Sequence, residues 1–142
     1  MNSSPNVEPR RRAKRVSEVV LDSSAILALL LGERGADRAA TVINRAHVSA
    51  VNLAEVVQRL VDKGAGDDET LAVLEAYGWR VSPLDEAAAM QVGLYRRATR
   101  AHGLSLGDRA CLALGKRLGL PVYTADRAWA ELDLGVEVVL IR

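Results

Sequence analysis

The chain has 142 residues, 49% of them hydrophobic, and a formal net charge of +1. That size and composition suit one domain with a proper core and exclude a disordered or disulfide-stapled chain. Cys111 is the only cysteine, so neither a disulfide framework nor a thiolate zinc site can be built within one chain, and a buried small hydrophobe in a reducing compartment fits it.

The charge is uneven along the chain. Arg10, Arg11, Arg12, Lys14 and Arg15 stand against Glu8 alone, giving residues 1–16 a charge of +4 and leaving −3 for residues 17–142. The first stretch has almost nothing to bury, which predicts a disordered basic tail, a solvated leader rather than a nucleic-acid arm. Residues 17–142 are expected to form the domain. Glu18 and Asp22 interrupt what would be the apolar part of a secretory signal, and AILALLLG (25–32) is too short to span a membrane. A cytoplasmic protein without membrane contact is expected.

Short β-rich runs then alternate with longer helical patterns. The strand candidates are Glu18 to Leu21, His47 to Ala50, Trp79 to Ser82, Pro121 to Thr124 and Val136 to Ile141. Leu53, Val56, Val57, Leu60 and Val61 have helical spacing, as do Leu71, Val73, Leu74 and Tyr77. Two further helices fit Asp85 to Ala101 and Ser105 to Leu118, with Gly103, Gly119 and Gly135 where helices should stop. The alternation predicts an α/β fold, a parallel sheet with helices on both faces, because parallel strands need long crossovers.

In such sheets, sites form beyond the carboxyl ends of the strands. Asp22 follows the first strand, Asp126 lies two residues past the fourth, and Glu55 sits in the first turn of the helix after the second. Asp108 begins the helix that leads into the fourth strand; that helix runs opposite to the strand, so it starts at the same rim. Each acid also has a plain structural use. Asn52-x-x-Glu55 and Ser105-x-x-Asp108 resemble capping boxes, and Asp22 and Asp126 stand where N-caps belong. Four clustered carboxylates nevertheless repel one another and raise each other's pKa, a conflict that a divalent cation resolves. Oxygen-only donors suit Mg²⁺ or Mn²⁺, and His47 and His102 are read as structural or solvated. Magnesium commonly shares its sites with substrate phosphates, which points to phosphate chemistry.

The stretches VVLDSSAIL, SAVNLAEVVQRL, LSLGDRACLALG and VYTADRAWAELDLGVEVVLIR, in this order and at this spacing, resemble those of PIN-domain ribonucleases, in particular the VapC-type toxins of bacterial toxin–antitoxin pairs. The resemblance covers everything but the tail. It implies a compact five-stranded parallel sheet in a single PIN-like domain, metal-dependent cleavage of RNA, a homodimer, and inhibition by a cognate antitoxin that blocks the site. By this similarity Asp22, Glu55, Asp108 and Asp126 form the acidic quartet, supported by Ser23 and Thr124, with Asn52 beside them. Asp22, Asp108 and Asp126 would hold one or two Mg²⁺ ions, and Glu55 would ligate directly or through water. Attack by water rather than by the 2′-hydroxyl would leave 5′-phosphate and 3′-hydroxyl ends.

An acidic site needs flanking positive charge to attract a polyanion. Arg96, Arg97, Arg100, Arg109 and Arg127 are the candidates, each also explicable as part of a solvated helix face. Two Trp, three Tyr and no Phe leave little for a base-stacking platform. The glycine loops of P-loop hydrolases and dinucleotide binders are missing after the first strand, where the chain reads DSSA. The paired carboxylates of a glycosidase would want more aromatics for sugar stacking. Two rivals stay open: a phosphoacceptor receiver-like domain, disfavoured by Ser82-Pro83 where an Asp should end the third strand, and a non-catalytic binding module whose acids only cap helices and meet a partner.

Overall fold

The computed structural model describes residues 18–142, so the expectation for the basic tail lies outside the described residues. Five parallel strands, β1 (Val19–Leu21), β2 (Ala46–Ser49), β3 (Arg80–Ser82), β4 (Val122–Thr124) and β5 (Val138–Leu140), form one sheet in the order β3-β2-β1-β4-β5. The helices are α1 (Ser23–Leu31), α2 (Ala36–Ala40), α3 (Ala50–Asp62), α4 (Asp67–Glu75), α5 (Glu86–Leu94), α6 (Arg96–Thr99) and α7 (Leu106–Leu118). This is the parallel sheet predicted from the alternation. A receiver would have the order 2-1-3-4-5, so the strand order removes that rival.

Alternation along β1 explains why both faces are covered. Val19 and Leu21 belong to one core with Ile26 of α1, Val56 and Leu60 of α3 and Leu74 of α4. Val20 points the other way, into a core with Cys111, Leu112 and Leu114 of α7 and the fully buried Trp129. The apolar faces of α1 and α3 are thus used within the chain: Leu29, Leu30 and Val57 pack partly buried against the first core. Cys111 is buried as expected, and burial pushes its thiol well above the usual range. No helix among the described residues is long and apolar enough to cross a membrane.

Several boundaries differ from the sequence reading. Ala50 starts α3 instead of ending β2, because Ser49, the last strand residue, already caps the helix by accepting from the Val51 amide at 3.2 Å. Asn52 therefore lies inside the first turn, Glu55 falls in the second turn instead of the expected first, and Asn52-x-x-Glu55 is not a capping box. The single helix expected over Asp85 to Ala101 is three pieces, α5, α6 and a 3-10 turn (Arg100–His102). At this break the Thr99 hydroxyl bonds back to the Tyr95 carbonyl at 2.8 Å, a local bond that bends helices. Gly103 and Gly119 close helical segments with φ of 64° and 66°, as expected, whereas Gly135 lies in the turn before β5 and ends no helix.

Candidate active site

β1 and β4 are neighbours, but the chain leaves β1 for β2 and returns to β4 only after β3, so the crossovers diverge at this seam. Crevices in open parallel sheets form at such points. Asp22 ends β1 there and is 3% exposed. It occupies the N-cap position of α1 without making a side-chain cap. Its Oδ2 instead accepts from the Ser24 hydroxyl at 2.6 Å and the Thr124 hydroxyl at 2.9 Å. Ser24 Oγ also accepts from the Ala125 amide at 2.9 Å, and Thr124 Oγ1 from the Asp126 amide at 3.0 Å. This network ties the ends of β1 and β4 together. Oδ1 of Asp22 is buried with no partner.

Burial pushes the Asp22 carboxyl up from 3.8 to about 6; the Ser24 and Thr124 bonds pull it back, and the charges of Asp108 and Glu55 push it further up. Those two acids therefore lie within electrostatic reach of Asp22. Glu55, half-buried on α3, accepts at Oε1 from the Ser23 hydroxyl at 3.0 Å and the Asn52 amide at 2.9 Å. Asp108 completes a capping box at the start of α7, its Oδ2 accepting from the Ser105 amide at 2.9 Å while Ser105 Oγ accepts from the Asp108 amide at 3.1 Å. Asp126 is exposed and caps the 3-10 turn Arg127–Glu131, with Oδ1 accepting from the Ala128 amide at 3.0 Å.

A common pattern emerges. In each of the four acids one carboxylate oxygen is bonded into the fold, and the other, Oδ1 of Asp22 and Asp108, Oε2 of Glu55 and Oδ2 of Asp126, has no protein donor among the described residues. The side chains nevertheless stand apart: among the described residues no three His, Cys, Asp or Glu groups are close enough to hold an ion. The donor set, all hard oxygen with one orphaned and buried, fits Mg²⁺ or Mn²⁺ chemically, and binding would have to draw the carboxylates inward.

Two contributors escaped the sequence reading. Ser24 bonds Asp22 although Ser23, its neighbour, turns to Glu55; nothing in the pair of serines distinguishes them without the strand geometry. Gly107 is the other, since a Cβ there would meet Glu55 Oε2 at 2.3 Å. Of the arginines, Arg96, Arg97 and Arg100 are exposed on α6 and the turn after it, and make no ion pair among the described residues. Arg109 Nη1 donates to the Val92 carbonyl at 2.9 Å and its Nε is buried, so it braces α7 on α5. Arg127 is exposed and donates to the Arg142 carbonyl at 3.1 Å. His47 is structural, 3.0 Å from Glu18 Oε1, and His102 is exposed.

Fold and site together define an α/β domain with four acids at the carboxyl rim of its sheet. The PIN domain family matches residues 19–134, and the chain belongs to that family. Its fold is similar to that of a toxin–antitoxin complex from Klebsiella pneumoniae, with a TM-score of 0.70 and 18% identity over 88% of this chain and 98% of that one. It is likewise similar to VapBC-5 of Mycobacterium tuberculosis, a member of the VapBC family of toxin–antitoxin systems, at 0.58 and 29% over 89% and 98%. A third is VapC20 of the same organism, a sarcin-ricin loop cleaving toxin, at 0.66 and 18% over 84% and 99%. No curated protein matches by sequence.

Proposed function

We propose that the chain is the toxin of a toxin–antitoxin pair, an endoribonuclease that hydrolyses RNA phosphodiester bonds with Mg²⁺ or Mn²⁺. The observation that carries the reading is the division of labour within each carboxylate, one oxygen built into the fold and one left over, repeated at Asp22, Glu55, Asp108 and Asp126. Asp22, Asp108 and Asp126 would hold the ion, with Glu55 beside them. A bound Mg²⁺ or Mn²⁺ supplies Lewis-acid polarisation of the phosphate and a lowered pKa for the attacking water.

The chain's own groups do the rest. Ser24 and Thr124 fix one oxygen of the Asp22 carboxylate, and the capping bonds fix one oxygen each of Asp108 and Asp126. Arg96, Arg97 and Arg100 offer the phosphate backbone a cationic approach that carries no base information. Water attack on phosphorus expels the 3′-oxygen, giving 5′-phosphate and 3′-hydroxyl ends. A groove of about 350 Å³ beside Glu55, lined by Ser23, Leu27, Gln58, Arg59 and Asp62, gives the antitoxin a route to Glu55. A homodimer belongs to the same proposal, and the exposed Met90 and Leu94 on α5 give a second copy an apolar surface.

The caps made by Asp108 and Asp126 favour one rival, a silent module. The test is cleavage of a mixed cellular RNA pool with Mg²⁺ or Mn²⁺, with a chelator, and with Asp22→Asn. Metal-dependent cutting that vanishes in the variant, with 5′-phosphates at the ends, is the expected result. The absence of both cutting and metal-induced stabilisation would leave Asp108 and Asp126 as caps and Asp22 and Glu55 as structural acids.

A further inference from the structure

Glu55 is carried by α3, but the bonds and contacts that fix its carboxylate reach across to α1 and α7. Asn52 stands three residues earlier on the same helix and is fully buried. Its Nδ2 donates to Glu55 Oε1 at 2.9 Å and to the Gly107 carbonyl at 3.1 Å. Its Oδ1 finds no partner. A buried amide with an orphaned oxygen is a poor choice for packing alone, so the two bonds made by Nδ2 are what the position serves. On the α7 side the carboxylate lies flat against a bare Cα: a Cβ on Gly107 would be 2.3 Å from Oε2 and 2.5 Å from Oε1. Ser23 and Asn52 both donate to Oε1, which leaves Oε2 as the free oxygen.

We propose that Asn52 is a positioning residue that, with the bare Cα of Gly107, clamps the Glu55 carboxylate into the seam between α3 and α7 and keeps Oε2 as its working oxygen. The clamp joins the first turns of the two helices that carry Glu55 and Asp108, so it also sets how these acids stand to each other. The inference rests on the nuclease reading and adds a role that Ser23 alone does not fill.

The test is a double-mutant cycle in the full chain, with Asn52→Ala, Glu55→Gln and the pair, measuring RNA cleavage, melting temperature without metal, and the rise in melting temperature on adding Mn²⁺. Asn52→Ala is expected to lower kcat by about 10–100-fold, the scale for residues that orient a metal ligand, with KM within about twofold. In the Glu55→Gln background it should cost nothing further, because its effect passes through Glu55. The Mn²⁺-induced rise should fall in Asn52→Ala toward the Glu55→Gln level. Gly107→Ala displaces the same carboxylate from the opposite side and should repeat the pattern, which keeps the test open if Asn52→Ala folds poorly. Losses that multiply in the double variant overturn the role given to Asn52 while leaving the nuclease standing. A parent chain that neither cuts RNA nor gains stability from Mn²⁺ overturns the nuclease reading, and the clamp with it.

Discussion

Replacing Asp22 by Asn in the metal-free protein should stabilise it, and the gain should depend on pH in a definite sense. Burial raises the Asp22 carboxyl from 3.8 to about 6. The folded state therefore keeps the proton longer than the unfolded chain, and the stability linked to it is full below about pH 3.8 and lost as pH rises through 6. At about 1.4 kcal/mol per pH unit, the ionised side chain costs the fold about 3 kcal/mol at pH 7.5. Asn keeps an oxygen for the Ser24 and Thr124 hydroxyls and puts its NH₂ where Oδ1 already has no partner. An unpartnered buried amide costs about 1–3 kcal/mol, so the net gain is about 0–2 kcal/mol at pH 7.5 and vanishes or reverses near pH 4. Urea denaturation of both proteins in EDTA at pH 4.5, 6 and 7.5, with matched m-values, measures this directly. A variant less stable than its parent at pH 7.5, or a gain that does not change with pH, would refute the account of Asp22 as a carboxylate strained by burial and like charge. With Mn²⁺ present the order should invert, because only the parent offers the full set of acids.

Two further outcomes follow from other parts of the molecule. Changing Arg96, Arg97 and Arg100 together to Ala, in an Asp22→Asn background that prevents cutting, should weaken RNA binding evenly across sequences and flatten its salt dependence by about 0.7 for each lost phosphate contact; an unchanged slope in a filter-binding titration would remove these arginines from the RNA path. At the opposite end of the sheet, Glu18 Oε1 lies 3.0 Å from His47 and 2.8 Å from Arg80, and the His47 hydrogen bond, helped by the nearby charges, holds its carboxyl below the usual value of 4.5. Its contribution to stability is present above that value and lost as pH falls through the folded one, so Glu18→Gln should melt below the parent at pH 7 and level with it near pH 3; equal melting at pH 7 would count against any role for the cluster.

The strands and the rim were readable because their signals are local. VVLD places an acid at the end of an apolar run, and the direction of the helix before β4 brings Asp108 to the same edge without any knowledge of packing. What was hidden depends on a partner distant in sequence. Ser23 and Ser24 look alike until β4 is beside them and Thr124 selects one. Gly107 reads as a weak helix residue until Glu55 is found lying against it. The start of α3 was misplaced because Ser49 serves both as the end of a strand and as a cap. The end of α6 at Thr99 escaped because the bond between Thr99 and Tyr95 leaves the apolar periodicity unchanged.

Cap and catalyst, the two roles the sequence sets against each other, are compatible at the level of single oxygens. A carboxylate has two, each able to accept, and a cap uses one. The bonds from Ser105 to Asp108 and from Ala128 to Asp126 hold the two side chains in place without occupying their remaining oxygens, much as Ser24 and Thr124 do for Asp22. Without such bonds, four mutually repelling acids on flexible side chains would turn toward water, and any ion would have to gather them at the cost of their rotamer freedom. The caps lower that cost in advance. They also stop short of closing the site, for the four free oxygens are not drawn together. On the nuclease reading proposed above, that is the compromise expected of a fold which must stay stable before its charge is neutralised: orient each acid by one oxygen, and leave the last approach to whatever supplies the positive charge.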